Sequence, residues 1–410
     1  MSPRVATYDS LIPRDIPLNL RAAGSNPVLL IAAFAICISI AFQVLLPVVP
    51  VMAERGGPHG VAGAATFALF VGAVTGELST PWLMSRLRSK HLLVFGQLVT
   101  AVPSLVYVLP HPPLWAMMAA ASARGIGMGV AIVVSVALLS DVTAPHRRGA
   151  SIGIYGLALS GPGIFVPAVA VFLLANGRAD VDALIGFASA IAGALIALRM
   201  SERPAHIALE STNLWSAIRR PGILVAMTGF ILASCTFGGV ITYAPVALPL
   251  EGLGSAATFL LVSGATRAAS RWLAGVLGDR WSARKVLVGG VLVALAGLLV
   301  LAMRGGAFSV ILAAAAYGAG FGAIHTAVFV TMSERGTRSD AGAISSLWNS
   351  SIDMGGSLGG SLIGVTAALY GYGAAVWVLP AVMAISLPLF LWRGKPVRRA
   401  APAEAEILVR

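Results

Sequence analysis

Apolar residues run along this chain in long blocks, separated by short polar segments that carry most of the charge. Twelve blocks stand out, at about 28–50, 61–83, 91–109, 115–139, 149–174, 183–199, 222–248, 256–278, 286–303, 307–332, 341–369 and 373–392. Many are near the roughly 20 residues that a helix needs to cross the hydrocarbon core of a bilayer. The short alternating segments of a membrane β-barrel are missing. The pattern predicts an all-α integral membrane protein with twelve transmembrane helices. Residues 1–26 are polar and read as an N-terminal arm, 27–199 as a first six-helix bundle and 200–221 as a linker. Residues 222–395 read as a second six-helix bundle and 396–410 as a tail. No connection is long enough to hold a folded soluble domain, which argues against a receptor, a sensor kinase or an anchored enzyme.

The two bundles repeat one another at an offset of 193–194 residues. Arg124-Gly125-Ile126-Gly127-Met128-Gly129 lines up without a gap on Tyr317-Gly318-Ala319-Gly320-Phe321-Gly322. Pro27 falls on Pro221, Ser85-Arg86 on Asp279-Arg280 and Gly149-Ala150 on Gly342-Ala343. Two matching apolar halves with a path between them are a common plan for secondary transporters.

Charge changes the picture less than its total suggests. Only 11% of residues are charged, against about a quarter in an ordinary soluble domain. The net charge of +12 would suit a nucleic-acid binder, but its placement does not. With the N-terminus cytoplasmic, 22 of the 28 Lys and Arg residues fall in cytoplasmic segments. The opposite loops hold Arg55, Arg178 and Arg304, and the spans hold Arg124, Arg267 and Arg271. That bias is the positive-inside rule, and it puts both termini in the cytoplasm. The loop cations then set topology and meet anionic lipid; no nucleic-acid partner is expected.

Cys37 and Cys235 lie inside spans with no disulfide framework or metal-ligand spacing, and read as buried small residues. The N-terminus lacks a short apolar core with a cleavage site, so no removable signal peptide is expected. Arginine outnumbers lysine 25 to 3, which suggests a GC-rich bacterial genome. There is no Walker A loop, and His59 and His111 lie in outer loops without companion ligands. No cofactor, metal or enzyme activity is expected.

The loop between the eighth and ninth spans reads Gly275-Val276-Leu277-Gly278-Asp279-Arg280-Trp281-Ser282-Ala283-Arg284-Lys285. It resembles the loop signature of the major facilitator superfamily, Gly-x-Leu-x-Asp-Arg-x-Gly-x-Arg-Arg/Lys, with Ser282 in place of the second Gly. The small residue lets helices approach, and the acid can cap a helix or pair with an arginine to lock a cytoplasmic contact. The first-half copy has Pro81 for the Gly and Ser85 for the Asp, and keeps Arg86. Arg124-Gly125-Ile126-Gly127-Met128-Gly129 and Gly161-Pro162 are similar to fragments of drug/proton antiporters and sugar-efflux members. Asn349 to Gly360 resembles an Asn-x-x-x-Asp-x-Gly-x-x-x-Gly segment of some bacterial efflux members. The resemblance implies a multi-pass transporter of the bacterial inner membrane, working as a monomer by alternating access on a small-molecule substrate and protons.

Ionisable residues inside a span cost a few kcal/mol or more, so each needs a partner, a wet cavity or a task. Asp353 lies near mid-membrane in the eleventh span, and Glu77 lies in the second. Glu77 and Arg271 are repeat equivalents, and Arg267 lies one turn from Arg271 on the same face. In the superfamily, spans two and eleven meet at one seam and five and eight at the other. The resemblance therefore puts Asp353 and Glu77 beside one seam and Arg267 and Arg271 beside the other. A carboxyl kept from water holds a proton more readily, as a proton-coupled cycle requires. Asp353, Glu77 and His325 are the proton-coupling candidates. Arg124, Arg267, Arg271, Asn349 and His325 are the candidates for the substrate cavity, and Asn349 stands one turn from Asp353 to bond its carboxyl or a solute. Gly275, Asp279, Arg280, Arg284, Lys285 and Arg86 form the conformational loop motif. For each carboxyl the alternative is a static, satisfied group, and for the arginines a fixed ion pair or a lipid contact. The favoured function is proton-coupled export of a small organic compound. Uptake of an organic anion is the runner-up, and a non-transporting sensor or scaffold comes third.

Overall fold

The computed structural model describes residues 27–143, 148–200, 217–336 and 341–392. The arm 1–26, most of the linker and the tail lie outside the described residues. Among the described residues all regular structure is helical. The first span is Pro27–Leu45 continued by Val48–Gly56, and the second is Ala62–Met84. The third is Ser89–Ser104 with a 3-10 turn, the fourth Leu114–Val142 and the fifth Arg148–Ser160 with Pro162–Ala175. The sixth is Ala179–Leu198, the seventh Pro221–Ala247 and the eighth Ala256–Arg280. The ninth is Ala283–Ala302, the tenth Ala307–Arg335, the eleventh Ala341–Tyr370, and the twelfth Tyr372–Ala375 with Val378–Leu391. The interruptions have chemical causes. Pro47 and Pro162 lack the N–H that would continue a helix, so the first and fifth spans are jointed there.

Eleven of these helices are long and apolar enough to cross a membrane by length and composition. The eighth, Ala256–Arg280, is long enough at 25 residues but carries Arg267 and Arg271 in its middle. These two arginines line the cavity between the halves.

The internal repeat extends to the packing. Gly125 abuts the Leu69 carbonyl, Gly127 the Gly96 carbonyl and Gly129 the Ala73 carbonyl. In the second half Gly318 abuts the Ser263 carbonyl, Gly320 that of Gly290 and Gly322 that of Arg267. Each glycine and its partner moves by the same one-repeat step. The shared Gly-x-Gly-x-Gly stretch thus lets the fourth and tenth spans lie backbone to backbone on their neighbours, where any side chain would collide.

The halves meet along two seams. One joins the second and eleventh spans. There Gly63 abuts the Gly360 carbonyl, Gly60, at φ +87°, abuts Gly364, and Phe70 packs on Gly356. Nearby, the Thr66 and Thr242 hydroxyls, one from each half, are 2.7 Å apart. The other seam joins the fifth and eighth spans, where a Cβ on Gly264 would stand 3.0 Å from the Ile164 carbonyl oxygen.

These contacts concentrate away from the end that bears Arg86, Arg88, Lys90, Arg280, Arg284 and Lys285, here termed the basic end. At the opposite end the halves are latched. The Glu54 carboxylate accepts the Gly60 and Ala62 N–H groups at 2.8 and 3.0 Å and lies 2.9 Å from His59 Nδ1. The His59 ring stands edge-on to Tyr372 of the other half at 5.2 Å. Toward the basic end the second seam parts. Among the described residues, nothing lies within 4 Å of a Cβ built on Gly153, Gly156, Gly275 or Gly278. The described residues therefore leave the space between the halves unfilled at the basic end.

Candidate functional site

A cavity of about 190 Å³ lies between the halves. The first, second, fourth and fifth spans wall one side, and the seventh, eighth, tenth and eleventh wall the other. Arg267, Arg271, His325, Asn349 and Asp353 all line it. Five of the residues chosen from sequence thus come together on one surface.

The acidic cluster sits where the second span meets the eleventh. Glu77 is buried, 6% exposed, and its carboxylate takes hydrogen bonds from two consecutive residues of the other half. Asn349 Nδ2 donates to Glu77 Oε1, and Ser350 Oγ donates to Oε2 at 2.9 Å. Asp353, 8% exposed, stands one turn along and also within hydrogen-bonding reach of Glu77. Two carboxyl groups can share a hydrogen bond only if one carries a proton. The sequence offers the Asp353 carboxyl or a solute as the partner of Asn349, and the structure shows a contact across the halves, with Glu77. Ser350 was not singled out from the sequence; its adjacency to Asn349 was the available signal.

The basic cluster sits on the eighth span. Arg271 donates to Ser160 Oγ of the fifth span at 3.3 Å. The Arg267 guanidinium lies 5.2 Å from the centroid of the Phe237 ring. Among the described residues neither arginine has a carboxylate partner. Both fields reach His325, whose Nδ1 is buried without a partner. The His325 ring is fixed by Trp348, edge-on at 4.4 Å, and Trp348 Nε1 donates to the His325 carbonyl at 3.1 Å. Ser160, Phe237 and Trp348 were missed by sequence reasoning, since a lone serine or aromatic inside a span carries no pattern.

Arg124 is where the structure corrects the sequence. It is 1% exposed and is not on the cavity wall. Arg124 Nη2 donates to the Ala41 carbonyl of the first span at 2.9 Å, and its guanidinium lies 5.9 Å from the Tyr107 ring. The cause is depth. Arg124 shares a helical stripe with the cavity residues Met128 and Ile132, but stands one turn nearer the closed end, where Ala41 covers it. Its repeat equivalent Tyr317 likewise turns into its own half, its hydroxyl 3.3 Å from that of Thr236. Both are internal tethers between corresponding helices. Arg124→Ala is expected to cost about 2 kcal/mol or more of stability through the void it leaves, while solute affinity stays at the wild-type value. Arg124→Met, which refills the space, should recover most of the loss. Thermal melting beside equilibrium binding checks this, and weakened binding at unchanged stability would return Arg124 to the cavity.

The loop motif is described in part; the Asp279 side chain lies outside the described residues. Ser282, in the place of the signature glycine, caps the ninth span by accepting the Lys285 N–H at 3.4 Å. Arg284 donates to the Leu391 carbonyl, Arg280 is exposed, and the Arg86 guanidinium lies 4.1 Å from the Trp82 ring centroid. Gly275 faces open space. Gly275→Leu is therefore expected to fold and melt like wild type, yet to slow transport if the basic end must close on this face. Equal transport rates in the two proteins would show that no such closure occurs there.

Among the described residues no group of three ligating side chains is placed to hold a metal ion. The family model described as Major Facilitator Superfamily matches residues 29–347 and again residues 257–409. No curated protein matches the chain. Solved structures do. A crystal structure of the nucleoside transporter NupG superposes with a TM-score of 0.69 at 13% identity, over 89% of this chain and 98% of that one. A mutant of the same transporter gives 0.74 at 11% identity, over 89% and 99%. A bacterial homologue of the human lysosomal transporter Spinster, inward-facing and unoccupied, gives 0.70 at 14% identity, over 90% and 95%. At these identities the likeness is one of fold.

Proposed function

The chain belongs to the major facilitator superfamily, and on that premise we propose that it is a proton-coupled secondary transporter of a small organic solute, working by alternating access. The observation that carries the reading is the acidic cluster. Glu77 of one half is bonded to Asn349 and Ser350 of the other, with Asp353 beside it, and Asn349 and Asp353 line the cavity between the halves. A proton gained or lost there changes both the charge of the cavity and a bond between the moving parts. The basic end is the cytoplasmic one by the positive-inside rule, so the state described is open to the cytoplasm. The protein sits as a monomer in a bacterial inner membrane, its basic loops against anionic lipid, and needs no catalytic group or cofactor.

The arginines favour the second reading, uptake of an organic anion. Among the described residues Arg267 and Arg271 face the cavity without carboxylate partners, so an anion is the guest whose charge they balance. A proton on the acidic cluster removes negative charge from the same cavity and strengthens anion binding. By reciprocity the anion strengthens proton binding, and linked sites of this kind are typically coupled by about 1–3 kcal/mol. Proton and anion then cross together, inward when the outside is acidic. Export by exchange needs the opposite sign, a solute cation displacing the proton. Proteoliposomes with an acidic exterior test the two. Accumulation of labelled organic anions supports uptake, and expulsion of a preloaded organic cation supports export.

A further inference from the structure

Aromatic residues make up only 7% of this chain, yet four phenyl rings stand on the central cavity. Each half supplies two. Phe42 and Phe70, of the first and second spans, meet edge to face with centroids 6.2 Å apart and planes at 70°. Phe237 and Phe321, of the seventh and tenth, stack at 5.5 Å and 9°. Phe42 and Phe237 are the half-buried members of each pair, and Phe70 and Phe321 back them. The guanidinium of Arg267 adjoins the Phe237 ring, and Arg271 follows one turn on. Among the described residues, the same wall has two buried polar atoms without a partner, Ser39 Oγ and His325 Nδ1.

We propose that the transported solute is a small aromatic carboxylate, its carboxylate on Arg267 and Arg271 and its ring between Phe42 and Phe237. The proposal rests on the reading of the protein as a carrier of an organic anion and names the class of that anion. A guanidinium fork matches the two oxygens of a carboxylate and binds them more firmly than a neutral donor would. A phenyl wall adds an aromatic preference that aliphatic walls lack. A cavity of about 190 Å³ has room for a single ring with a short acidic group. A ring between Phe42 and Phe237 touches both halves at once, so its binding differs between open and closed states, as a transported solute requires.

The test is equilibrium binding of labelled benzoate to the purified full-length protein in detergent. The competitors are cyclohexanecarboxylate, acetate, benzamide and benzyltrimethylammonium. Benzoate is expected to bind about threefold to tenfold more tightly than cyclohexanecarboxylate. Benzamide and the ammonium compound should be weaker by at least about tenfold. Arg267→Gln should lower benzoate affinity by about tenfold or more, and Arg267→Lys should recover part of it. Phe237→Leu should erase the preference over cyclohexanecarboxylate and leave acetate unchanged. If either variant fails to fold, the competitor series on the wild-type protein decides. Acetate and cyclohexanecarboxylate binding as well as benzoate, all weakened by Arg267→Gln, would overturn the aromatic class and leave the anion reading standing. Benzamide or the ammonium compound binding as well as benzoate, with Arg267→Gln silent, would overturn both. Binding of none of the five would also overturn both.

Discussion

Asp353→Asn is expected to abolish accumulation driven by a pH gradient, while exchange of solute across the membrane continues. Asparagine has nearly the shape of aspartate and can donate to Glu77 where Asp353 needed a shared proton, so the packing survives. What disappears is the exchangeable proton. Asp353 lines the cavity and reaches Glu77, which in turn holds Asn349 and Ser350 across the seam. Without a titrating partner the seam contact no longer follows pH, and the gradient has nothing to act on. Glu77→Gln should have the same transport phenotype and a further structural one, because Ser350 and Asn349 then face a neutral amide. Flux into proteoliposomes with and without a gradient separates coupling from exchange. Gradient-driven flux at the wild-type level in both variants would remove the acidic cluster from the cycle.

Gly359→Val is expected to leave little or no folded protein. A Cβ at Gly359 would meet the Cys235 carbonyl group, with the carbonyl carbon at 2.6 Å and the Cα at 2.8 Å. These are backbone atoms of the seventh span, which cannot step aside as a flexible side chain can. Gly238 meets Gly356 in the same way one turn off, so the seventh and eleventh spans are held backbone to backbone over several turns. Extra methyl groups in a tight core cost about 1–3 kcal/mol where side chains can adjust, and more where they cannot. Gly359→Ala should yield protein with a lowered melting temperature, and Gly359→Val none that elutes as a single species. A valine variant that purifies and melts like wild type would contradict the close packing of these spans. The contrast with Gly275, which faces open space, separates glycines that hold a half together from one placed where the halves part.

Much of this architecture was legible in the sequence because membrane helices are written in long runs. The twelve blocks correspond to the twelve observed spans, with ends displaced where helices continue past the apolar stretch. The first span extends to Gly56, and the tenth to Arg335, because a helix can run into the polar region once its backbone is paired. The eighth span shows the limit of the apolar rule. It reads as an apolar block at 256–278, yet it stands outside the eleven helices that pass on length and composition, and the repeat and the loop signature after it agree with its place. The repeat extends into the packing, since Gly125 and Gly318 meet equivalent carbonyls.

The candidate site was legible in part. Charges inside an apolar run announce themselves, so Glu77, Arg267, Arg271 and Asp353 stand out as candidates. Whether a charge meets a cavity or the inside of its own half depends on which end is closed, and no local pattern encodes that. Arg124 fell on the wrong side of this distinction, one turn beyond the cavity and beneath Ala41. Phe42 and Phe237 were missed for the complementary reason. An apolar ring in an apolar helix is indistinguishable from a lipid-facing one until the halves are brought together.

The most direct test of the central claim is proton movement driven by solute. Proteoliposomes containing a pH-sensitive dye, at equal pH on both sides, receive an organic anion outside, and protein-free vesicles provide the baseline. The account predicts that the interior acidifies as the anion enters, in a fixed ratio to it, and that Asp353→Asn and Glu77→Gln admit the anion without acidification. Anion entry through the wild-type protein with no change of interior pH would contradict it.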